Sequence, residues 1–327
     1  MKILHGYREA KNELKDPVVA IGIFDGIHIG HKRVLKRVLT SPQKKSDKVV
    51  VTFDPHPQTV LRPKQSLSRI MSLQHRLTIL EKMGMDAVVV IKFSDFLAEM
   101  TPEDFIHRVL ASGIGAKKIY VGNNFHFGRG KTGNIEDFRA IGKKHGIEVK
   151  IIPPVKLGRI AVSSTWLRRL ISQGRLEKAE KLLRRPVSVL GTVVSGERRG
   201  RTFGIPTANI DPHQEVIPPP GVYAVKIDID GKLFDGVLNI GYKPTFYGRG
   251  KQKRKEPEIE VHVINFDGHL YGKDIEIFFI KRLRSEKKFK SIENLKRQIK
   301  KDVARAKDLF SDRKILQKIK KYKQIIG

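Results

Sequence analysis

Along the first half of the chain, apolar residues come in short unbroken runs, separated by stretches where they recur every three or four positions. The runs are 18-VVAIGIF-24, 48-KVVVTF-53, 86-DAVVVIKF-93, 117-KKIYVG-122 and 147-IEVKII-152. Runs without polar alternation predict strands buried on both faces. Between them lie 31-HKRVLKRVL-39, 74-QHRLTILEKM-83 and 102-PEDFIHRVLAS-112. Val34, Leu35, Val38 and Leu39 form a stripe at helical spacing, which predicts a helix lying on the sheet. Strands and helices in this alternation predict a doubly wound α/β domain with a parallel sheet.

Past about residue 184 the rhythm changes. Apolar and polar positions alternate in 187-VSVLGTVV-194, 222-VYAVKIDI-229, 233-LFDGVLNI-240, 258-EIEVHVINF-266 and 274-DIEIFFI-280. Asp230-Gly231 joins two of these as a hairpin turn, and the set predicts an antiparallel barrel. The preceding 174-GRLEKAEKLLRRP-186 predicts a helix stopped by Pro186, which puts the junction between domains 1–185 and 186–327. A basic helix follows from about Ser291. Leu309, Leu316, Ile319 and Ile326 continue it as a stripe that suits either packing on the barrel or presentation of the basic face to a polyanion.

Composition narrows the function. With 327 residues the chain has room for two ordinary domains, and none of its apolar runs approaches the roughly 20 residues of a membrane span. The absence of cysteine removes disulfides, thiolate metal sites and thiol nucleophiles, and the N-terminal residues lack a secretory pattern, so the expectation is a cytoplasmic protein with no membrane partner. Lysine and arginine number 65 against 34 acidic residues, a net charge of +31, which attracts nucleotides, nucleic acid or anionic lipid. That charge is spread over the whole chain without an RNP motif, a paired Cys/His finger or an aromatic-basic platform. A basic nucleic-acid-binding protein therefore stays as the second reading.

Two motifs carry chemistry. The segment 22-GIFDGIHIGH-31 follows a buried strand and opens a helix, the place where open α/β sheets hold ligands. Helix-start amides bind phosphate there, while Gly26 and Gly30 allow close backbone approach. His28 and His31 are three apart, so both imidazoles can face one point and stabilise charge at a nucleotide's α-phosphate. Histidines that merely fill space are the plain alternative. The second motif is 200-GRTFGIPTAN-209, in which Gly200 and Gly204 permit tight turns and Pro206 fixes the backbone ahead of Thr207. Thr207 and Asn209 offer hard oxygens suited to Mg²⁺ carried on ATP phosphates, although turn chemistry alone also explains such a string. Glu260 shares a strand face with His262 and Ile264, where a carboxylate can take a proton from a hydroxyl. The loop 246-FYGRGKQKRKEPE-258 suits either a phosphate-attracting lid or a solvated connection.

With 53-FDPHP-57, 121-VGNNFHFGRGKTGN-134 and 163-SSTWLRR-169 in order, the first motif resembles the bacterial bifunctional riboflavin kinase/FMN adenylyltransferase family. The second motif, with 221-GVYAV-225, 239-NIGYKPTF-246, 260-EVHVINFDGHLYG-272 and 282-RLRSEKKF-289, resembles its riboflavin kinase module. The resemblance runs from about Pro17 to about Ala306. It implies phosphorylation of riboflavin to FMN and adenylylation of FMN to FAD, with ATP as co-substrate and Mg²⁺ in both steps. It implies catalytic roles for His28, His31 and Glu260. Gly22, Phe24, Asp25, Gly26 and Gly30 would hold the nucleotide, with Ser164, Thr165 and Arg168 closing on the triphosphate. Asn124 and Phe127 would shape the flavin and nucleotide pockets. In the kinase module, Gly200, Gly204 and Asn239 would line the ligand site, Thr207 and Asn209 would hold MgATP, and Arg284 would lie beside the flavin. The run Ser163–Thr165 also reads as an ordinary helix cap. Two positions depart from the family pattern: Trp166 stands where an arginine is expected, and Asn124 where many relatives have aspartate. Either bears on adenylyl transfer and not on the fold, so a riboflavin kinase with weak or absent adenylyltransferase activity is the alternative within the enzyme class.

Overall fold

The computed structural model describes residues 1–43, 45–64, 68–195, 206–244, 255–313, 315 and 317. Its packing divides the chain into two units: Met1–Ser68 with Leu73–Ser164, and Arg69–Ser72 with Thr165–Gly327.

The first unit opens with β1 (Lys2–His5), α1 (Tyr7–Ala10), β2 (Val18–Ile21), α2 (Ile29–Leu39), β3 (Lys48–Asp54), α3 (Pro57–Leu61) and α4 (Leu73–Lys82). It continues with β4 (Ala87–Lys92), α5 (Asp95–Ala98) and α6 (Pro102–Asp104), which runs into a π-helical segment, Phe105–Ala111. Then come β5 (Lys118–Gly122), α7 (Ile135–Lys144), β6 (Glu148–Ile152) and a two-stranded hairpin of β7 (Lys156–Leu157) and β8 (Ile160–Ala161). The six strands β1 to β6 form one sheet in the order β1-β4-β3-β2-β5-β6, with every pair parallel. This is the doubly wound sheet expected from the unbroken apolar runs. Val19, Val49, Val51 and Val89 are sealed from solvent in its core, and Val34, Leu35 and Val38 bury the inner face of α2.

Strand order decides where a ligand sits. From β2 the chain winds outward through β3 and β4, then returns to pair β5 against the other side of β2. The carboxyl ends of β2 and β5 thus flank the reversal point, where helices depart to opposite faces and leave a crevice.

The second unit begins with α8 (Ser164–Ser172), whose first residue the packing leaves with the first unit, and α9 (Leu176–Leu183). The barrel strands are β9 (Val187–Val194), β10 (Ala208–Asp211), β11 (Gly221–Ile229), β12 (Lys232–Pro244), β13 (Lys255–Val263) and β14 (Asp274–Arg284), followed by α10 (Ile292–Ser311). They close antiparallel in the order β10-β13-β12-β11-β14-β9, with β9 pairing β10. Five strands were readable as alternating stretches; the sixth, β10, spans four residues and is too short to show a period. The expected Asp230-Gly231 turn is present, with φ of 52° and 81°. Helix α10 buries Ala306 and Phe310 on an apolar patch of β11, β12 and β14 that includes Val222, Ala224, Val237 and Leu283.

The sequence put the junction at residue 185, whereas the packing groups Thr165 onward with the barrel. Both intervening helices have a buried stripe, Leu167, Leu170 and Ile171 on α8 and Ala179, Leu182 and Leu183 on α9, and α9 lies against β9. Residues 69–72 also belong to the barrel's unit. Val216 N–H donates to Arg69 O at 2.6 Å, and the buried Glu215 carboxylate accepts from Ser72 N at 2.7 Å and Leu190 N at 3.2 Å.

Candidate active sites

The first site is the turn between β2 and α2, at the sheet's reversal point. Three of its residues have positive φ: Phe24 at 53°, Gly26 at 87° and Ile27 at 39°. Two of them carry side chains, so the turn holds strain of about 1–3 kcal/mol per residue, sustained only where neighbours fix it. Those neighbours are visible. Ile23 O accepts from Arg76 Nη1 at 2.7 Å and Thr52 Oγ1 at 3.2 Å, and Asp25 O accepts from Ser164 Oγ at 2.8 Å.

His28 caps α2, with its Nδ1 accepting from His31 N–H at 3.3 Å. A neutral imidazole accepting at Nδ1 has its proton on Nε2, so His28 presents a donor on its outer edge. The His31 ring stacks on His28 with centroids 3.7 Å apart and meets Phe24 edge-on at 5.3 Å. Gly30 makes this possible, since a Cβ there would lie 3.1 Å from His28 Cε1. Both rings are neutral in this site. Burial lowers His28 to about 4, partly offset by its own backbone hydrogen bond and Asp25. Burial, then the neighbouring His28 and Arg76, hold His31 well below its ordinary value. The His31 Nδ1 is sealed from solvent with no hydrogen-bond partner among the described residues.

The other expected residues of this site fall in different places. Gly22 lies against the Phe24 ring, and Asp25 is buried beneath the turn. Ser164 reaches the turn by the bond just given. Thr165 is exposed and Arg168 and Trp166 half-buried on α8, all three in the second unit. Asn124 is exposed, its carbonyl bonded to its neighbour His126. Phe127 is 6% exposed and packs with Phe105, Phe125 and Phe138 in the core of the sheet, so its ring supports the loop from beneath.

The second site is written in strand register. Asn209 on β10 lies opposite Glu260 on β13, Glu260 opposite Asn239 on β12, Asn239 opposite Val222 on β11, and Val222 opposite Arg284 on β14. Residues directly opposite in antiparallel strands project from the same face. Four of the residues expected to serve the kinase step therefore form one row around the barrel. Thr207, two positions before Asn209, lines a cleft of about 320 Å³ with Pro206, Ala208, Val261, Phe266 and Tyr271. His262 Nδ1 and Pro206 O are 2.8 Å apart, fastening the approach to Thr207. At the far end of the row, Arg284 is held by the buried Asp302 of α10 through Nε and Nη2. Gly200, Gly204 and most of the basic loop 246–258 lie outside the described residues.

Sequence reasoning missed Thr52, Arg76 and Asp302. Arg76 reads as a surface charge on a helix, yet it sits one turn before the buried Ile79 and Leu80 on the same face. Asp302, Ala306 and Phe310 recur at a spacing of four, so the carboxylate belongs to the buried stripe of α10.

Paired histidines at the reversal point of a parallel sheet, and a row of asparagine and glutamate on a closed barrel, are arrangements suited to group transfer. The family models agree: FAD synthetase matches residues 10–166 and riboflavin kinase residues 183–310. The chain belongs to the bifunctional riboflavin kinase/FMN adenylyltransferase family. Proteins of that name from Bacillus subtilis and Buchnera aphidicola are 35% and 34% identical to it, over 95% of this chain and 98% and 99% of theirs. The Escherichia coli K12 protein is 32% identical over 95% of this chain and 98% of its own. The fold also matches a crystal structure from Streptococcus pneumoniae named as a macrolide-efflux protein, with TM-score 0.79, 29% identity and coverage of 94% of this chain and 99% of that one.

Proposed function

We propose that the two sites act in series on one flavin. At the barrel, the riboflavin 5′-hydroxyl attacks the γ-phosphorus of ATP. Glu260 takes the hydroxyl proton as the bond to ADP breaks. At the sheet, a phosphate oxygen of FMN attacks the α-phosphorus of a second ATP and pyrophosphate leaves. His28 and His31 donate to the phosphate as neutral imidazoles, so they stabilise the growing charge without giving up a proton.

Among the described residues no three histidine, aspartate or glutamate side chains cluster as a metal cage. Thr207 and Asn209 supply neutral oxygens, a donor set that fits Mg²⁺ arriving already on ATP phosphates. When bound, the ion would neutralise phosphate charge and orient the leaving group. No described helix is long and apolar enough to cross a membrane. The absence of cysteine and the use of ATP support a cytoplasmic setting.

The observation that carries the assignment of two sites is the separate placement of Glu260 and the histidine pair. Glu260 has Asn209 and Asn239 as its cross-strand neighbours on the barrel, while the histidines share one turn of the sheet. The test is chromatography of riboflavin incubated with MgATP. The unmodified protein should make FMN and then FAD. His31→Ala should stop at FMN, and Glu260→Ala should make no FMN while converting supplied FMN to FAD. Accumulation of FMN alone by the unmodified protein would instead support the kinase-only reading that Trp166 raises.

A further inference from the structure

The guanidinium of Arg76 is buried at the start of α4, and its contacts share one purpose. Nη1 donates to Ile23 O at 2.7 Å and to Thr52 Oγ1 at 3.0 Å, while Nη2 reaches Asp54 at 3.5 Å. Thr52 in turn donates to the same Ile23 carbonyl. Ile23 is the residue immediately before the strained stretch Phe24–Ile27, so one carbonyl at the mouth of the turn is gripped from two sides. A fork that binds a turn carbonyl, a strand hydroxyl and a strand carboxylate together locks the turn to β3. We propose that Arg76 is a positioning residue of the adenylyl-transfer site, holding the Gly22–His28 turn where the two imidazoles meet the nucleotide phosphate.

The inference rests on the reading of that turn as the adenylyl-transfer site. Arg76 acts through the turn: Nη1 gives both of its hydrogens to Ile23 O and Thr52 Oγ1, and Nη2 faces Asp54. It acts electrostatically as well. The groups that bear on His31 are His28 stacked on it, Phe24 at its edge and the Arg76 cation, with Asp25 acting on His28. The cation adds to burial and to His28 in opposing protonation of His31, so it helps keep that ring neutral.

Arg76→Lys keeps the charge and loses the fork; Arg76→Met loses both. Each is measured in the full-length protein with FMN and MgATP, beside His31→Ala, with riboflavin phosphorylation as the internal reference. The expected result is a fall in kcat for FAD formation of about 30-fold or more in Arg76→Met, as misplacement of reacting groups by about 1 Å produces, with KM for ATP changed by less than about threefold. Its acid limb should move to higher pH. Arg76→Lys should give a smaller fall in kcat and leave that limb in place. Unchanged kcat and pH profile in both variants overturn the proposal, as does an equal loss of riboflavin phosphorylation, which would mark a general folding role. If His31→Ala retains full FAD synthesis, the reading of the site fails and the role of Arg76 falls with it. If His31→Ala is inactive while Arg76→Met is unaffected, the role of Arg76 alone is wrong.

Discussion

Arg284 on the last barrel strand and Asp302 on the terminal helix form an ion pair with three contacts, at 3.1, 3.0 and 2.9 Å. Gln298 adds a fourth hydrogen bond to the same carboxylate at 2.9 Å. The pair stands at the end of the cross-strand row that contains Glu260, so helix α10 both covers an apolar patch and orients a cation in line with the candidate kinase residues.

Removing Asp302 should therefore be costly in two ways. Asp302→Ala leaves a largely buried guanidinium without its counter-charge, a loss of about 3–5 kcal/mol for such pairs. In a domain of this size that lowers the melting temperature by the order of 10 °C, readable by calorimetry. Riboflavin phosphorylation should show a raised KM for riboflavin, while conversion of supplied FMN to FAD stays within about twofold.

Gly30 is expected to be intolerant even of alanine. Its φ is ordinary for any residue, so the obstacle is steric: the added Cβ lies 3.1 Å from Cε1 and 3.2 Å from Nδ1 of His28. The imidazole must give way by a few tenths of an ångström, which loosens its stack on His31. Gly30→Ala should reduce FAD formation from FMN by about 10-fold or more, with riboflavin phosphorylation unchanged, as a loss of transition-state alignment predicts.

Acid should destabilise the first unit earlier than its carboxylates would. The unfolded chain protonates His28 near 6.5, the folded one only near 4. Between those values the unfolded state binds more protons, so the contribution of His28 to stability is fully present above about pH 6.5. It is lost progressively as pH falls toward 4, with a total on the order of 3 kcal/mol. Denaturant midpoints of the wild type and His28→Asn measured from pH 7.5 to 4.5 check this. The variant should show a flatter dependence over that window.

Glu215 binds two backbone amides at once, Ser72 N and Leu190 N. Glu215→Ala leaves both buried donors without their acceptor, at about 1–3 kcal/mol each. Hydrogen exchange should then accelerate at residues 72 and 190, well before any change at the sheet around β2.

Much of this was legible in the sequence. Unbroken apolar runs predicted the parallel sheet, and the motif from Gly22 to His31 pointed to the first candidate site. There the extended N-cap and the small Gly30 let the His28 and His31 rings stack. The row of Asn209, Glu260 and Asn239 was reached through motif resemblance. Their face-sharing depends on strand register, which no local pattern encodes, least of all when β10 has only four residues. Arg76 and Asp302 escaped because charged side chains are normally solvated. Both, however, sit at helical spacing from buried apolar residues, which is the signal that would have exposed them. Phe127, expected to shape a pocket, packs in the core among Phe105, Phe125 and Phe138.

The short segment Arg69–Ser72 has a consequence for any attempt to isolate the kinase barrel. A fragment beginning at residue 165 would contain the whole barrel and terminal helix, yet Glu215 would lose its bond to Ser72 N, and the Val216 amide would lose the Arg69 carbonyl. One cut in the gene therefore does not carry every residue of that unit. Recovering the barrel's full stability in isolation calls for the tetrapeptide 69–72 to be supplied as well, grafted or in trans, which makes the two activities separable on paper but interleaved in the polypeptide.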